Sequence, residues 1–320
     1  MPCKCGKMVI IGAGFVGSAV LNAVLRMNIA NEIVLIDVNR EKAEGEVLDA
    51  SHTTAFAYST NVDIRVGDYA DCADAQLIVM TAGPSIKPGE SSGAGDRMRL
   101  LTQNAKVMRA VMAEITAVTR EAVLIIVTNP VDVLVHIAQS EFNYPREQVI
   151  GTGTLVDTAR FNKILGDRCG VDAKNVTGFV LGEHGAHAFV HWDTVNIAGI
   201  PFQEFEQEFH LKERLDKAAI MEQVRSVGLR ILELKGYTSA GVAISVCRIA
   251  AAIVHNERCV IPVCIALQGE YGHANVALSV PCIISARGIE QVLELKLDEP
   301  SRGALKQCAD YLKKMIAEAG

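Results

Sequence analysis

The segment KMVIIGAGFVG, residues 7–17, joins an apolar run to glycines spaced G-x-G-x-x-G, and no other feature constrains the fold of this chain as tightly. Residues 7–12 read as a buried strand, 15–27 carry apolar residues at helical spacing, and EIVLID at 32–37 repeats the strand signal. The three form a β-α-β unit. In such a turn Gly12 permits the tight bend, Gly14 lets a pyrophosphate approach the backbone, and Gly17 lets helix and strand pack closely. The second strand ends in Asp37, where a carboxylate can accept hydrogen bonds from a ribose diol and repel a 2′-phosphate. Arg40 lies near but does not remove the acid, so the turn predicts NAD as cofactor.

The alternation continues. A helix is expected near 40–51, strands near 62–66 and 77–82, a long helix over about 98–118 and a strand at 122–128. That order predicts an α/β fold, a doubly wound parallel sheet covered on both faces. After about residue 145 the pattern changes to a helix near 154–167, β-rich text to 199, helices near 211–235 and 239–255, more β, and a closing helix at 301–318. Two domains are expected, 1–145 for the cofactor and 146–320, of mixed α+β structure, for substrate and catalysis. The Gly/Ser/Pro-rich stretch GPSIKPGESSGAGDR, 83–97, reads as a long loop of the kind used as a lid.

Composition narrows the function classes. Half the residues are hydrophobic, as in a globular enzyme, and the net charge of −6 is spread without a basic block, which argues against nucleic acid. Arg248 interrupts the longest apolar run, 240–254, so no membrane span is expected. No charged-then-apolar leader is evident, and nine cysteines without a C-x-x-C pair read as reduced thiols, so a cytoplasmic protein is expected.

The stretch LGEHGAHAFVHW, 181–192, contains His184, His187 and His191. In an extended chain the last two share a face and the first points away, and no H-x-x-x-H or cysteine set accompanies them, so no metal site is expected. His187 and His191 read as surface or packing residues. His184, between glycines, is suited to a cleft. Upstream, GTGTLVDTARFNKIL at 151–165 puts Asp157 and Arg160 three apart on one helix face. As a bland pair they are an exposed salt bridge. In an enzyme acting on a small acid, the carboxylate can orient a histidine and the guanidinium can grip a substrate carboxylate through two parallel hydrogen bonds.

GAGFVG, LIDVNREKAEGEVLDASH (35–52), TNPVDVL (128–134), GTGTLVDTARF (151–161), GEHG (182–185) and KGYTSAG (235–241), in this order and spacing, resemble the L-lactate and L-2-hydroxyacid dehydrogenases over about residues 7–318. The resemblance implies a Rossmann domain followed by a catalytic domain, usually in a homotetramer. It implies that His184 is the general acid/base, that Asp157 orients it, and that Arg97 is the mobile-loop arginine that polarises the carbonyl. It further implies that Arg160 binds the substrate carboxylate, Asn129 hydrogen-bonds near the reacting carbonyl, and Thr238 and Ile86 line the substrate pocket. The cofactor would lie against Gly12, Gly14, Phe15, Val16, Gly17, Asp37, Thr81, Ala82, Gly83 and Asn129.

Four positions depart from the commonest lactate dehydrogenase pattern. Ile86 stands where lactate enzymes usually carry Gln and malate enzymes Arg, in a loop about five residues longer, as in L-2-hydroxyisocaproate dehydrogenases. Asn162 and Thr177 stand where many bacterial lactate dehydrogenases bind fructose 1,6-bisphosphate, so no response to that sugar is expected. Ala186 replaces the usual Asp or Asn. Reversible reduction of pyruvate to L-lactate is the first expectation, larger apolar 2-oxo acids are the alternative, and oxaloacetate is disfavoured. A non-catalytic NAD sensor would leave Asp157, Arg160 and His184 without a purpose.

Overall fold

The computed structural model describes residues 5–56, 60–85, 94–208 and 215–320, the side chains of residues 5, 94–98 and 208 excepted. The first part alternates as expected: β1 (Cys5–Ile11), α1 (Phe15–Met27), β2 (Ala30–Ile36), α2 (Arg40–Ser51), β3 (Asp63–Val66), β4 (Leu77–Met80), α3 (Ala94–Val118), β5 (Val123–Ile126), α4 (Val131–Glu141) and β6 (Val149–Gly151). Next come α5 (Leu155–Cys169) and five two-residue strands, β7 (Val176–Thr177), β8 (Val180–Leu181), β9 (Phe189–Val190), β10 (Asn196–Ile197) and β11 (Ile200–Pro201). The chain closes with α6 (Phe202–Glu208), α7 (Lys217–Lys235), α8 (Ala240–Val254), β12 (Cys259–Gln268), β13 (Ala274–Ser285), β14 (Gly288–Val292) and α9 (Glu299–Glu318).

One sheet runs through both parts, in the order β14-β13-β12-β6-β5-β4-β1-β2-β3. The six strands from β3 to β6 are parallel, and β12 to β14 continue the sheet antiparallel. Strands covered by helices on both faces must be apolar throughout, and Met8, Val9 and Ile10 of β1 and Leu77, Ile78 and Val79 of β4 are fully buried. Registers Ile11↔Ile36, Ile11↔Met80, Met80↔Ile126 and Ile126↔Gly151 bring five strand ends into line. Chain order reverses between β1 and β4, and the crevice beyond the carboxyl ends at such a switch point is where α/β sheets take ligands. A second core gathers Phe161, Leu165, Phe202, Phe205 and Val224.

Two differences from the sequence expectation are instructive. VDVLVHIA alternates and is rich in β-branched residues, yet forms helix α4, in which Val131, Asp132, Val133, Leu134, Val135, Ile137 and Ala138 are all buried. A helix covered on nearly every side shows no polar face, so periodicity does not reveal it. The long helix expected from 98 begins at Ala94, so Arg97 belongs to the first turn of α3 instead of the loop. Among the described residues no helix is long and apolar enough to cross a membrane.

The turn after β1 shows why its glycines are needed. Gly12 has φ of +108°, and a Cβ on Gly17 would sit 1.8 Å from the Gly12 carbonyl oxygen. Gly45 on α2 has open space around it. Gly17→Ala is therefore expected to lower unfolding free energy by about 1–3 kcal/mol, the usual cost of overpacking. Gly45→Ala should raise it by about 0.5–1 kcal/mol, since alanine loses less backbone entropy in a helix. Denaturant midpoints for the two variants check the contrast.

Candidate active site

The carboxyl ends of β1, β4, β5 and β6 each deliver part of the site. After β1, Gly14 is exposed and a Cβ there would meet nothing within 4 Å, which leaves a cradle at the start of α1 where backbone N–H groups can face a phosphate. Asp37, after β2, accepts hydrogen bonds from the backbone N–H of Ala13 (2.6 Å) and of Asn39 (2.8 Å). These contacts orient the carboxylate against the glycine turn. Thr81, after β4, donates its hydroxyl to the carbonyls of Ile11 and Gly12, both at 3.0 Å, and Thr128 donates to the Ala82 carbonyl at 2.8 Å. Ala82 and Val16 are half-buried, and Phe15 and Gly83 are exposed on the same edge. The turn thus has the free backbone and the oriented acid that an adenine dinucleotide requires.

Asn129 follows β5 and opens α4; its side-chain oxygen accepts from the Val131 N–H, and its carbonyl accepts from the Asn104 amide at 2.6 Å. Phe15 stacks on Tyr237 with ring centroids 3.9 Å apart and planes within 5°. That stack, which sequence reasoning missed, brings the junction between α7 and α8, including half-buried Thr238, against the cofactor turn. Ile86 lies outside the described residues, as does the side chain of Arg97.

The α5 pair proves to be neither exposed nor bland. Asp157 is 5% exposed; its Oδ1 accepts from Arg160 Nη1 at 2.8 Å and its Oδ2 lies 2.5 Å from Nδ1 of His184. Helix α5 holds Asp157 rigidly, because Phe161 and Leu165, one and two turns further on, are anchored in the second core. His184 comes from the bend after β8, which Gly182 fastens to Ser279 of β13 by paired backbone hydrogen bonds of 2.9 Å. The ring is partly buried, with 21% of the side chain exposed.

Burial works against charge on both partners, and the pair overcomes it. Burial raises the Asp157 carboxyl, but the charge and hydrogen bond of His184, followed by Arg160, leave it below the usual carboxylate range. Burial likewise lowers His184, but the charge and hydrogen bond of Asp157, with a further contribution from Asp132, bring it up to about 9. At neutral pH the cleft therefore holds an imidazolium, its Nε2 without a partner among the described residues and able to donate, beside a guanidinium.

The other two histidines go elsewhere. His187 Nδ1 is 2.5 Å from Glu183, and buried His191 is 3.1 Å from Ser301. The described side chains form one grouping of metal-ligand type, His191 with Asp193 and Asp298, to which neither His184 nor His187 belongs.

A dinucleotide turn and an imidazolium–carboxylate–guanidinium cluster define a nicotinamide-dependent oxidoreductase of a small acid. The family models for the NAD-binding domain and the alpha/beta C-terminal domain of lactate/malate dehydrogenases match residues 6–151 and 154–320, and the chain belongs to this family. It is 52% identical to L-lactate dehydrogenase 2 of Clostridium acetobutylicum, covering 97% of this chain and 96% of that one. Identity to L-lactate dehydrogenase of Selenomonas ruminantium is 43%, with 98% of each covered. The crystal structure of the minor L-lactate dehydrogenase from Enterococcus mundtii in its ligands-bound form superposes with a TM-score of 0.92 at 34% identity, over 99% of each chain.

The cofactor is NAD. A 2′-phosphate would meet the Asp37 carboxylate, and like charges brought together cost several kcal/mol. NADH is thus expected to bind at least about 100-fold more tightly than NADPH, and Asp37→Ser to narrow that gap. Fluorescence titration of both cofactors measures it.

Proposed function

We propose that this enzyme reduces pyruvate reversibly to L-lactate, with His184 as the proton carrier. The observation that carries this reading is the 2.5 Å contact between His184 Nδ1 and buried Asp157, which orients the ring and keeps it protonated. Relatives bearing the name L-lactate dehydrogenase along the full chain support the choice of acid.

In this reading Arg160 grips the substrate carboxylate, using guanidinium N–H groups not committed to Asp157. Asn129 and His184 Nε2 face the keto oxygen, and Thr238 lines the pocket. The reduced nicotinamide, when bound, supplies the hydride for C2. His184 gives its proton to the oxygen on which negative charge develops, and Asp157 stabilises the imidazolium until it does so. Arg97, in the first turn of α3, adds positive charge to that oxygen. In the reverse direction neutral His184 takes the hydroxyl proton.

The family pattern assigns Ile86, which lies outside the described residues, to the substrate side chain. Isoleucine suits a methyl or a longer apolar group, and each further buried methylene can add about 0.8 kcal/mol. Oxaloacetate would place a carboxylate there without a partner, at a cost of several kcal/mol. Asn162 and Thr177 give a sugar bisphosphate no cation to pair with, so fructose 1,6-bisphosphate leaves the enzyme unaffected.

Pyruvate reduction needs charged His184. Since its folded-state pKa is raised to about 9, kcat/KM for reduction should hold through neutral pH and be lost as pH rises through about 9, while lactate oxidation gains over the same window. His184→Asn should lower kcat by about 10²–10⁴-fold and leave NADH affinity unchanged; a variant keeping a tenth of the activity would overturn the role. In a panel of 2-oxo acids, kcat/KM for pyruvate should exceed that for oxaloacetate at least about 100-fold. The opposite ranking would contradict the assignment of Ile86.

A further inference from the structure

Beneath His184 lies a second carboxylate that the reaction as described does not use. Asp132 stands in the first turn of α4 and is 2% exposed. Its Oδ2 accepts the backbone N–H of His184 at 2.9 Å, while its Oδ1 is buried without a hydrogen-bond partner among the described residues. A buried acceptor left unfilled is costly, and a charged one more so. An asparagine could accept the same N–H without bringing a charge into the interior. The charge therefore calls for an explanation beyond the hydrogen bond.

The titratable groups that act on His184 and Asp132 come from several elements: Asp157 and Arg160 from α5, Glu183 from the same bend as His184, Cys264 from β12 and Cys308 from α9. Of these, the groups that can carry positive charge are His184 and Arg160, and Arg160 is paired with Asp157. The Cys264 thiol, a weak donor, interacts with Asp132 and cannot neutralise it. The first turn of α4 adds the positive end of a helix dipole, which favours a carboxylate.

We propose that Asp132 is a positioning residue for His184: it holds the main chain from which the ring projects, and its uncompensated charge joins that of Asp157 in keeping the imidazole protonated. The inference rests on His184 being the proton carrier. Burial pushes the Asp132 carboxyl up, opposed by the His184 amide and the Cys264 thiol, to about 6, so it is ionised at neutral pH. At neutral pH His184 then lies between two carboxylates, one at its ring and one at its backbone.

The test is an NMR titration of the His184 ring in the full-length enzyme without cofactor, the resonance being assigned by its loss in His184→Gln. Asp132→Asn keeps the acceptor and removes the charge, so the midpoint should fall from about 9 by about 0.5–1 pH unit. The descent of kcat/KM for pyruvate should move down by the same amount, with KM for NADH unchanged. An unmoved midpoint overturns the proposal, because a merely structural acceptor would be fully replaced by asparagine. The wild type gives a second readout that does not depend on Asp132→Asn folding: as Asp132 takes up its proton near about 6, the His184 resonance should show a second, smaller displacement, and its absence overturns the proposal. A shifted titration in a protein that reduces pyruvate at no pH would overturn the proposed function and leave the charge effect of Asp132 on the His184 ring standing.

Discussion

The site depends on how one buried carboxylate is shared. Asp157 gives one oxygen to Arg160 and the other to His184, at 2.8 and 2.5 Å. Each partner alone would be costly in this setting, since an unpaired buried charge is worse than none. Together they place an imidazolium and a guanidinium on either side of one buried carboxylate. The rigidity is supplied from a distance, by Phe161 and Leu165 in the second core and by the fastening of Gly182 to Ser279.

The sheet supplies the other half of the geometry. Because the ends of β1, β4, β5 and β6 are in line, the glycine turn, Thr81, Asn129 and the start of α5 all open on one edge. Antiparallel strands β12 and β13 extend that sheet on the β6 side, so the bend carrying His184 is tied to the same framework as the cofactor turn. The stack of Phe15 on Tyr237 adds a direct link between the cofactor turn and the α7–α8 junction. Residues that are far apart in the chain are thus tied to one framework.

Much of this was legible in the residues. The G-x-G-x-x-G spacing followed by Asp37 is a local signal, because the turn chemistry is written in consecutive residues. Asp157 and Arg160 were readable as neighbours because helical spacing alone makes them so. Their link to His184 was implied by family resemblance, since nothing local joins residues 27 apart. Asp132 and the Phe15–Tyr237 stack left no local trace. Asp132 sits in a run of apolar residues to which no element was assigned, and its partner is a backbone N–H 52 residues away. Helix α4 itself was hidden for the same reason: total burial erases the polar face by which a helix is recognised.

Proton transfer from His184 needs the ring charged at rest, and the most direct test is to see its protons. Neutron diffraction from deuterium-exchanged crystals near neutral pD should show a deuteron on both Nδ1 and Nε2 of His184, with none on the Asp157 carboxylate. A single deuteron on the ring, leaving a neutral imidazole against Asp157, would contradict the account.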